Sequence, residues 1–385
     1  MSQLLRNARI FTGEEILQGR DLLLADGVIQ ALPPPDKSAD AIDLEGGLLA
    51  PGFIDCQVNG GGGVLFNDRP DAPAIAAIAR AHRAFGTTGL LPTLISDHWA
   101  VMAAAAQAVR AARQQGQPGL LGLHFEGPYL NPDRKGAHDG GQIRPLDEAA
   151  LALFSARDLG VVVVTLAPEM VPPGTIAKLS QAGVRVCAGH SAADFEQTMA
   201  ALGEGLQGFT HLFNAMPAPQ SRDPGIVGAA LEDAGSWCGI IADGQHVHPA
   251  TLRNALAAKA PQRMLLVTDA MPTVGSAENS FQLAGQTVTL TNGRCALADG
   301  TLAGSNLDMA AAVRNTVSLL GQPLQEALRM ASLYPAAFLG LDGQRGRIAP
   351  GYCADLVLLD DDLNVRRTWI GGQMAINTGT FNRGT

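Results

Sequence analysis

The sequence predicts an α/β chain, a (β/α)8 barrel carrying a small β-sandwich formed from both chain termini. Three observations predict it. From about residue 52 to 343, buried strand patterns alternate with single amphipathic helices, a rhythm that suits a barrel better than a doubly wound sheet. Chemically capable side chains stand at the ends of several of these strands, where barrel enzymes carry their chemistry. Short strand patterns crowd residues 1–51 and 344–385, so the two ends are expected to pair into one sandwich.

The elements follow in order. Leu22–Ala25 and Val28–Leu32 flank Asp26-Gly27, a favoured two-residue hairpin turn. Pro33-Pro-Pro35 and the polar residues after it read as a loop, and Pro51-Gly-Phe-Ile-Asp55 opens the barrel. A helix is expected over 71–85, with Asp71 as N-cap and Ile75, Ile78 and Ala79 on its apolar face. Others are expected over 96–115 and 146–159, from Ser191 to about Leu202, from Pro249 to Ala260, and from Asn306 and Pro323. The run over 161–168 is apolar on both faces, as in a parallel sheet covered by helices. Residues 279–303 break the rhythm with hairpin patterns around Asn292-Gly293. They read as an insertion on the upper face of the barrel.

Composition bounds the function. The chain has 385 residues, 46% hydrophobic and 16% charged, which fits a large buried core plus a smaller domain. A net charge of −9 argues against a nucleic-acid partner, and any anionic substrate must meet a local basic cluster. The five cysteines are scattered, with no C-x-x-C pair, a pattern of reduced thiols in a cytoplasm. No apolar run approaches the ~20 residues of a membrane span, and the first ten residues lack the apolar core of a signal peptide.

Four apolar runs end in side chains that can ligate a metal or move a proton. Leu120-Leu-Gly-Leu-His-Phe-Glu126 delivers Glu126, with Gly127-Pro128 turning the backbone away. Val184-Arg-Val-Cys-Ala-Gly-His190 ends in His190, Gly208-Phe-Thr-His211 in His211, and Met264-Leu-Leu-Val-Thr-Asp269 in Asp269. A strand-end histidine alone is more often a hydrogen-bonded core residue. Three in the same placement point to a divalent metal held by Glu126, His190 and His211, with a position left for water. Asp269 reads as the base that takes the water proton and returns it to the leaving group; a helix cap, or a group that only supports the ligands, is its blander reading. His138, in the polar loop Arg134-Lys-Gly-Ala-His-Asp-Gly-Gly141, overhangs the site and suits carbonyl polarisation. His124 shares the Glu126 side of its strand by parity, which places it either behind the ligands or close to the sugar. Gly60-Gly-Gly-Gly63 lacks the G-K-[ST] of a phosphate loop and reads as a flexible rim. Arg222, His246 and the backbone amides of Asn214-Ala215 are the candidates for meeting an anion.

Taken together, His124-Phe-Glu-Gly-Pro-Tyr-Leu130, Lys135-Gly-Ala-His138, Gly189-His-Ser191, Thr210-His-Leu-Phe-Asn-Ala-Met216 and Val267-Thr-Asp-Ala270 resemble the N-acetylglucosamine-6-phosphate deacetylase family. That family lies in the amidohydrolase superfamily, and the resemblance covers essentially the whole chain. It implies hydrolysis of the acetamide of N-acetyl-D-glucosamine 6-phosphate, in amino sugar catabolism. It makes Glu126, His190 and His211 the metal ligands, Asp269 the catalytic acid/base, and His138 the group that orients the acetamide. Asn214, Ala215, Arg222 and His246 would bind the phosphorylated sugar, and Gln57, Asn59, His124 and Gly127 are expected to contact it as well. It further implies a homodimer in which Arg222 reaches the neighbouring site. Gln57 and Asn59 stand where much of the superfamily has His-x-His, and neutral amides bind zinc poorly beside imidazole. One divalent ion per subunit is therefore expected, zinc first, with Fe2+, Mn2+ or Co2+ as alternatives. The galacto epimer is the alternative substrate, a cyclic-amide hydrolase is disfavoured by the missing His-x-His, and a sugar-phosphate sensor is the non-enzymatic alternative.

Overall fold

The structure is a computed structural model and describes residues 2–34 and 41–376. Eight parallel strands follow one another round a barrel: β1 Phe53–Val58, β2 Thr87–Ile95, β3 Gly122–Glu126, β4 Val161–Leu166, β5 Arg185–Ala188, β6 Gly208–Phe209, β7 Trp237–Ile240 and β8 Met264–Leu266. A parallel bridge between Val58 and Ala270 ties the chain beyond β8 back to β1 and closes the ring. Single α-helices link successive strands, the first being Ala72–Arg83. Every residue of β1, β2 and β3 is buried. In β4 all but the first residue is buried, and cover on both faces is the reason the run over 161–168 is apolar without alternation.

Aspartates set four of the helix starts. Asp71, Asp147, Asp194 and Asp308 each accept the backbone N–H three residues on, at 2.7–2.8 Å. Three expected starts move accordingly, to Glu148–Phe154, Phe195–Glu204 and Met309–Ser318. Ser191 does not cap a helix: its hydroxyl donates to Glu169 at 2.7 Å, while Asp194 and Gln197 form a reciprocal capping box. Ser96 is likewise spent elsewhere, on His138, and the second helix begins at Trp99.

Both chain ends build the sandwich. One sheet runs in the order Gln373–Ile376, Val365–Ile370, Leu356–Leu359, Leu48–Pro51, Arg9–Phe11, Ile16–Leu17. The other comprises Val28–Ala31, Leu22–Ala25, Gln3–Arg6 and Ile42–Asp43. Between them lies a separate core that includes Leu5, Ile10, Leu24, Leu356 and Trp369. Burying each such aliphatic side chain stabilises the fold by about 1.5–3 kcal/mol. Asp26 and Gly27 both have positive φ, 52° and 80°, the backbone of the expected hairpin turn. Parts of the proline-led loop (residues 35–40) and the last residues of the 344–385 segment (377–385) lie outside the described residues.

The hairpin region forms a four-stranded sheet, Ser280–Leu283, Gln286–Thr291, Arg294–Ala296 and Leu302–Ser305. Asn292 and Gly293 make its expected turn, at φ 51° and 79°. Its own apolar cluster joins Leu283, Val288 and Cys295 to Ile95 and Met271, which anchors it over the ends of β2 and β8.

Candidate active site

Glu126 is the last residue of β3, while His190, His211 and Asp269 lie two or three residues past β5, β6 and β8. All four are buried. His190, His211 and Asp269 have φ of 50°, 32° and 54°, a left-handed backbone that costs a non-glycine residue on the order of 1–3 kcal/mol. The chain turns sharply as it leaves each strand, and that turn aims the side chain back over the barrel axis.

Three lone-pair atoms converge there. His190 Nε2 lies 3.2 Å and His211 Nε2 3.0 Å from Glu126 Oε1, and the two nitrogens are 3.0 Å apart. His190 Nδ1 is 2.9 Å from the carbonyl oxygen of Arg134, which only accepts, so Nδ1 carries a hydrogen and the neutral ring presents its lone pair on Nε2. A tetrahedral ion with ligands at ~2.0–2.1 Å has donor–donor edges of about 3.3 Å, so the spacing and donor types fit a divalent cation. Burial disfavours the charged forms, but mutual hydrogen bonding wins. Glu126 is held well below the ordinary carboxylate value, and the Glu126 hydrogen bond and charge hold His211 above 6.5. Ligand atoms of Glu126, His138 and His190 also fall within 4.8 Å of one another. His138, however, is engaged elsewhere.

The backbone N–H of Ser96 donates to His138 Nδ1 at 3.3 Å, and the Ser96 hydroxyl lies 2.8 Å from the same atom. Nδ1 is thus an acceptor, and the neutral ring carries its hydrogen on Nε2. Burial, reinforced by the neighbouring His190, pushes the His138 pKa down to about 3. The ring is a neutral hydrogen-bond donor rather than a ligand.

Asp269 Oδ1 accepts from Asn59 Nδ2 at 2.6 Å and from Gln57 Nε2 at 3.1 Å. Gln57 Nε2 also reaches both oxygens of Glu126 at 3.1 Å. Burial and then the Glu126 charge push Asp269 up to about 6, into the range of a working general base.

A cavity of about 360 Å³ opens over this cluster and is lined by Asn59, Glu126, His138, His190, His211 and Asp269. Asn214, Ala215 and His246 border it as well. His246 Nδ1 donates to Asp243 Oδ2 at 2.6 Å, which fixes the ring. Four of the expected contacts lie outside the lining. Gln57 sits beneath the carboxylates that it joins. His124 turns into the barrel interior, between the hydroxyls of Thr93 at 3.2 Å and Thr165 at 2.8 Å. Gly127 is enclosed, with room for no Cβ beside Ser96 and Leu130. Arg222 is exposed and borders no part of the chain's own cavity. Conversely, Arg134, Ala137, Leu283, Thr301, Leu302 and Gly304 line it without having been singled out. The polar loop holding His138 and the hairpin insertion were the available signals.

The amidohydrolase family matches residues 48–375 of the chain. An N-acetylgalactosamine-6-phosphate deacetylase of Shewanella sp. is 42% identical over 372 residues, 95% of this chain and 94% of that protein. The human N-acetylglucosamine-6-phosphate deacetylase is 37% identical, over 94% of each chain. The crystal structure of N-acetylglucosamine-6-phosphate deacetylase from Pasteurella multocida superposes with a TM-score of 0.94 at 34% identity, covering 98% of this chain and 100% of that one. With its barrel, its strand-end Glu-His-His cluster and relatives of this extent, the chain belongs to the amidohydrolase family, among the N-acetylated amino sugar 6-phosphate deacetylases.

Proposed function

We propose that the chain hydrolyses the acetamide of N-acetyl-D-glucosamine 6-phosphate, yielding glucosamine 6-phosphate and acetate in amino sugar catabolism. The observation that carries this reading is the meeting of Glu126, His190 and His211 at 3.0–3.2 Å beside an Asp269 pushed up to about 6. A divalent cation on those three ligands, zinc by its nitrogen-and-oxygen donor set, supplies Lewis acidity and lowers the pKa of water. His138, neutral with hydrogen on Nε2, donates to the acetyl oxygen as negative charge grows there. Asp269, oriented by Asn59 and Gln57, takes the proton of the attacking water. It then passes that proton to the amine nitrogen as the C–N bond breaks. Asn214, Ala215 and His246 border the room for the sugar.

A second reading is the galacto epimer. One observation favours it: the relatives at 42% and 41% identity are N-acetylgalactosamine-6-phosphate deacetylases, against 37% for the human gluco enzyme. On the other side, the Mycobacterium smegmatis enzyme, 32% identical with a TM-score of 0.89, was solved as an Asp-to-Ala variant in complex with N-acetyl-D-glucosamine 6-phosphate. We further infer a cytoplasmic homodimer in which Arg222, exposed and remote from its own cavity, reaches the neighbouring one. The test is acetate release by metal-reconstituted protein from both 6-phosphates and from the unphosphorylated sugars. Release from the gluco substrate at the higher kcat/KM is expected. A higher value on the galacto epimer moves the assignment to it, and binding without acetate release by metal-loaded protein leaves only a sensor.

A further inference from the structure

Among the described residues, Arg134 is the only lysine or arginine that lines the active-site cavity. Three carboxylates, Glu126, Asp133 and Asp269, line the same space, so Arg134 is the one Lys or Arg side chain of the chain's own that an anionic ligand meets among them. The residue is half-buried, and its Nε is buried with no hydrogen-bond partner. An unpaired buried donor of this kind is costly unless a ligand completes it. The planar fork of a guanidinium matches the oxygens of a phosphate.

The backbone of the same residue is already part of the site. Its carbonyl oxygen accepts His190 Nδ1 at 2.9 Å. The loop is pinned there by Asn131, whose N–H donates to the His190 carbonyl at 2.9 Å and whose Nδ2 donates to Glu169 at 3.0 Å. The side chain therefore leaves a fixed backbone point.

We propose that Arg134 is the phosphate-reading residue that the chain supplies to its own cavity, and that it sets the preference for 6-phosphorylated over unphosphorylated amino sugars. This rests on the reading of the site as an amino sugar phosphate deacetylase and adds to it a specificity determinant. Because the tie to His190 runs through the main chain, the side chain can be changed without removing the carbonyl that orients the ligand.

The experiment compares metal-loaded wild type with Arg134→Gln and Arg134→Lys. The readouts are kinetics on the phosphorylated and plain sugars, metal content, and calorimetric binding of glucosamine 6-phosphate. In Arg134→Gln, KM for the phosphorylated sugar and the Kd for glucosamine 6-phosphate are expected to rise roughly 10- to 100-fold. The ratio of kcat/KM between phosphorylated and plain sugar falls by the same factor, Arg134→Lys recovers part of it, and metal content stays at the wild-type level. A Kd and a ratio within about twofold of wild type overturn the proposal. So does a loss of kcat and metal with KM unchanged, which would make Arg134 a loop support. If wild type releases no acetate, the deacetylase reading fails, while the binding arm still decides the role of Arg134.

Discussion

Asn59 Nδ2 donates to Asp269 Oδ1 at 2.6 Å, across 210 residues of sequence. Asp269 is therefore a carboxylate held in one orientation by neutral amides, since Gln57 reaches the same oxygen at 3.1 Å. If it carries the proton between water and amine, Asp269→Asn should lower kcat by at least ~10²- to 10⁴-fold, with metal content intact. Asn59→Ala removes the orienting donor but leaves the base, and a smaller loss of roughly 10- to 100-fold in kcat with little change in KM is expected. Steady-state kinetics beside metal analysis checks both. Near-normal turnover in Asp269→Asn would remove it from the chemistry.

The same pair sets a pH dependence. Burial, followed by the charge of Glu126, raises Asp269 to about 6, and the Asn59 hydrogen bond pulls it down. A base must be deprotonated to act, so kcat/KM declines as pH falls through its pKa. A cation on the neighbouring ligands favours the carboxylate and moves the midpoint downward. The acid limb should therefore fall at about 6 or below in wild type and shift upward in Asn59→Ala, where the lowering hydrogen bond is lost. A pH–rate profile whose acid limb does not move in Asn59→Ala would break the link.

Glu126, His190, His211 and Asp269 were legible because each ends an apolar run, and a parallel barrel delivers such ends to one face. The link from Asn59 to Asp269 was not, because it spans β1 to β8 and exists only once the bridge between Val58 and Ala270 closes the ring. For His124 the sequence left two places open, behind the ligands or near the sugar. Parity puts it on the Glu126 side of β3, but two residues deeper in the barrel, where Thr93 and Thr165 enclose it. Arg222 and Arg134 both sit in polar loops, and no local pattern says which loop folds over its own cavity. Helix starts slipped for a plainer cause: several residues that can cap stood close together, and the one three positions before a free N–H won.

Metal stoichiometry offers an independent check. The Gln57 amide nitrogen lies 3.1 Å from oxygens of both Glu126 and Asp269, so N–H donors fill the space between the two carboxylates. A second cation there would face the positive end of an amide dipole. Chelation followed by refilling should return one tightly held equivalent per chain and restore activity. At free metal 100 times Kd, binding adds about 2.7 kcal/mol to stability, which for a chain of this length raises Tm by a few degrees. Two tight equivalents per chain would contradict the role of Gln57.

Gly127 joins stability to the placement of His138. It has φ +83°, and a Cβ built on it would stand 2.4 Å from Ser96 Oγ and 2.9 Å from Leu130. The Ser96 hydroxyl and N–H are the groups that contact His138 Nδ1. Gly127→Ala should therefore destabilise the fold by about 1–3 kcal/mol and also lower kcat, because Ser96 must move. Ser96→Ala removes the atom in the way while keeping the backbone N–H that sets the His138 tautomer. In that background Gly127→Ala should cost less, though not nothing, since Leu130 and the left-handed backbone remain. A double-mutant cycle on denaturant midpoints reads this coupling directly. Strict additivity would mean that Ser96 yields freely and that Gly127 is required by its backbone alone.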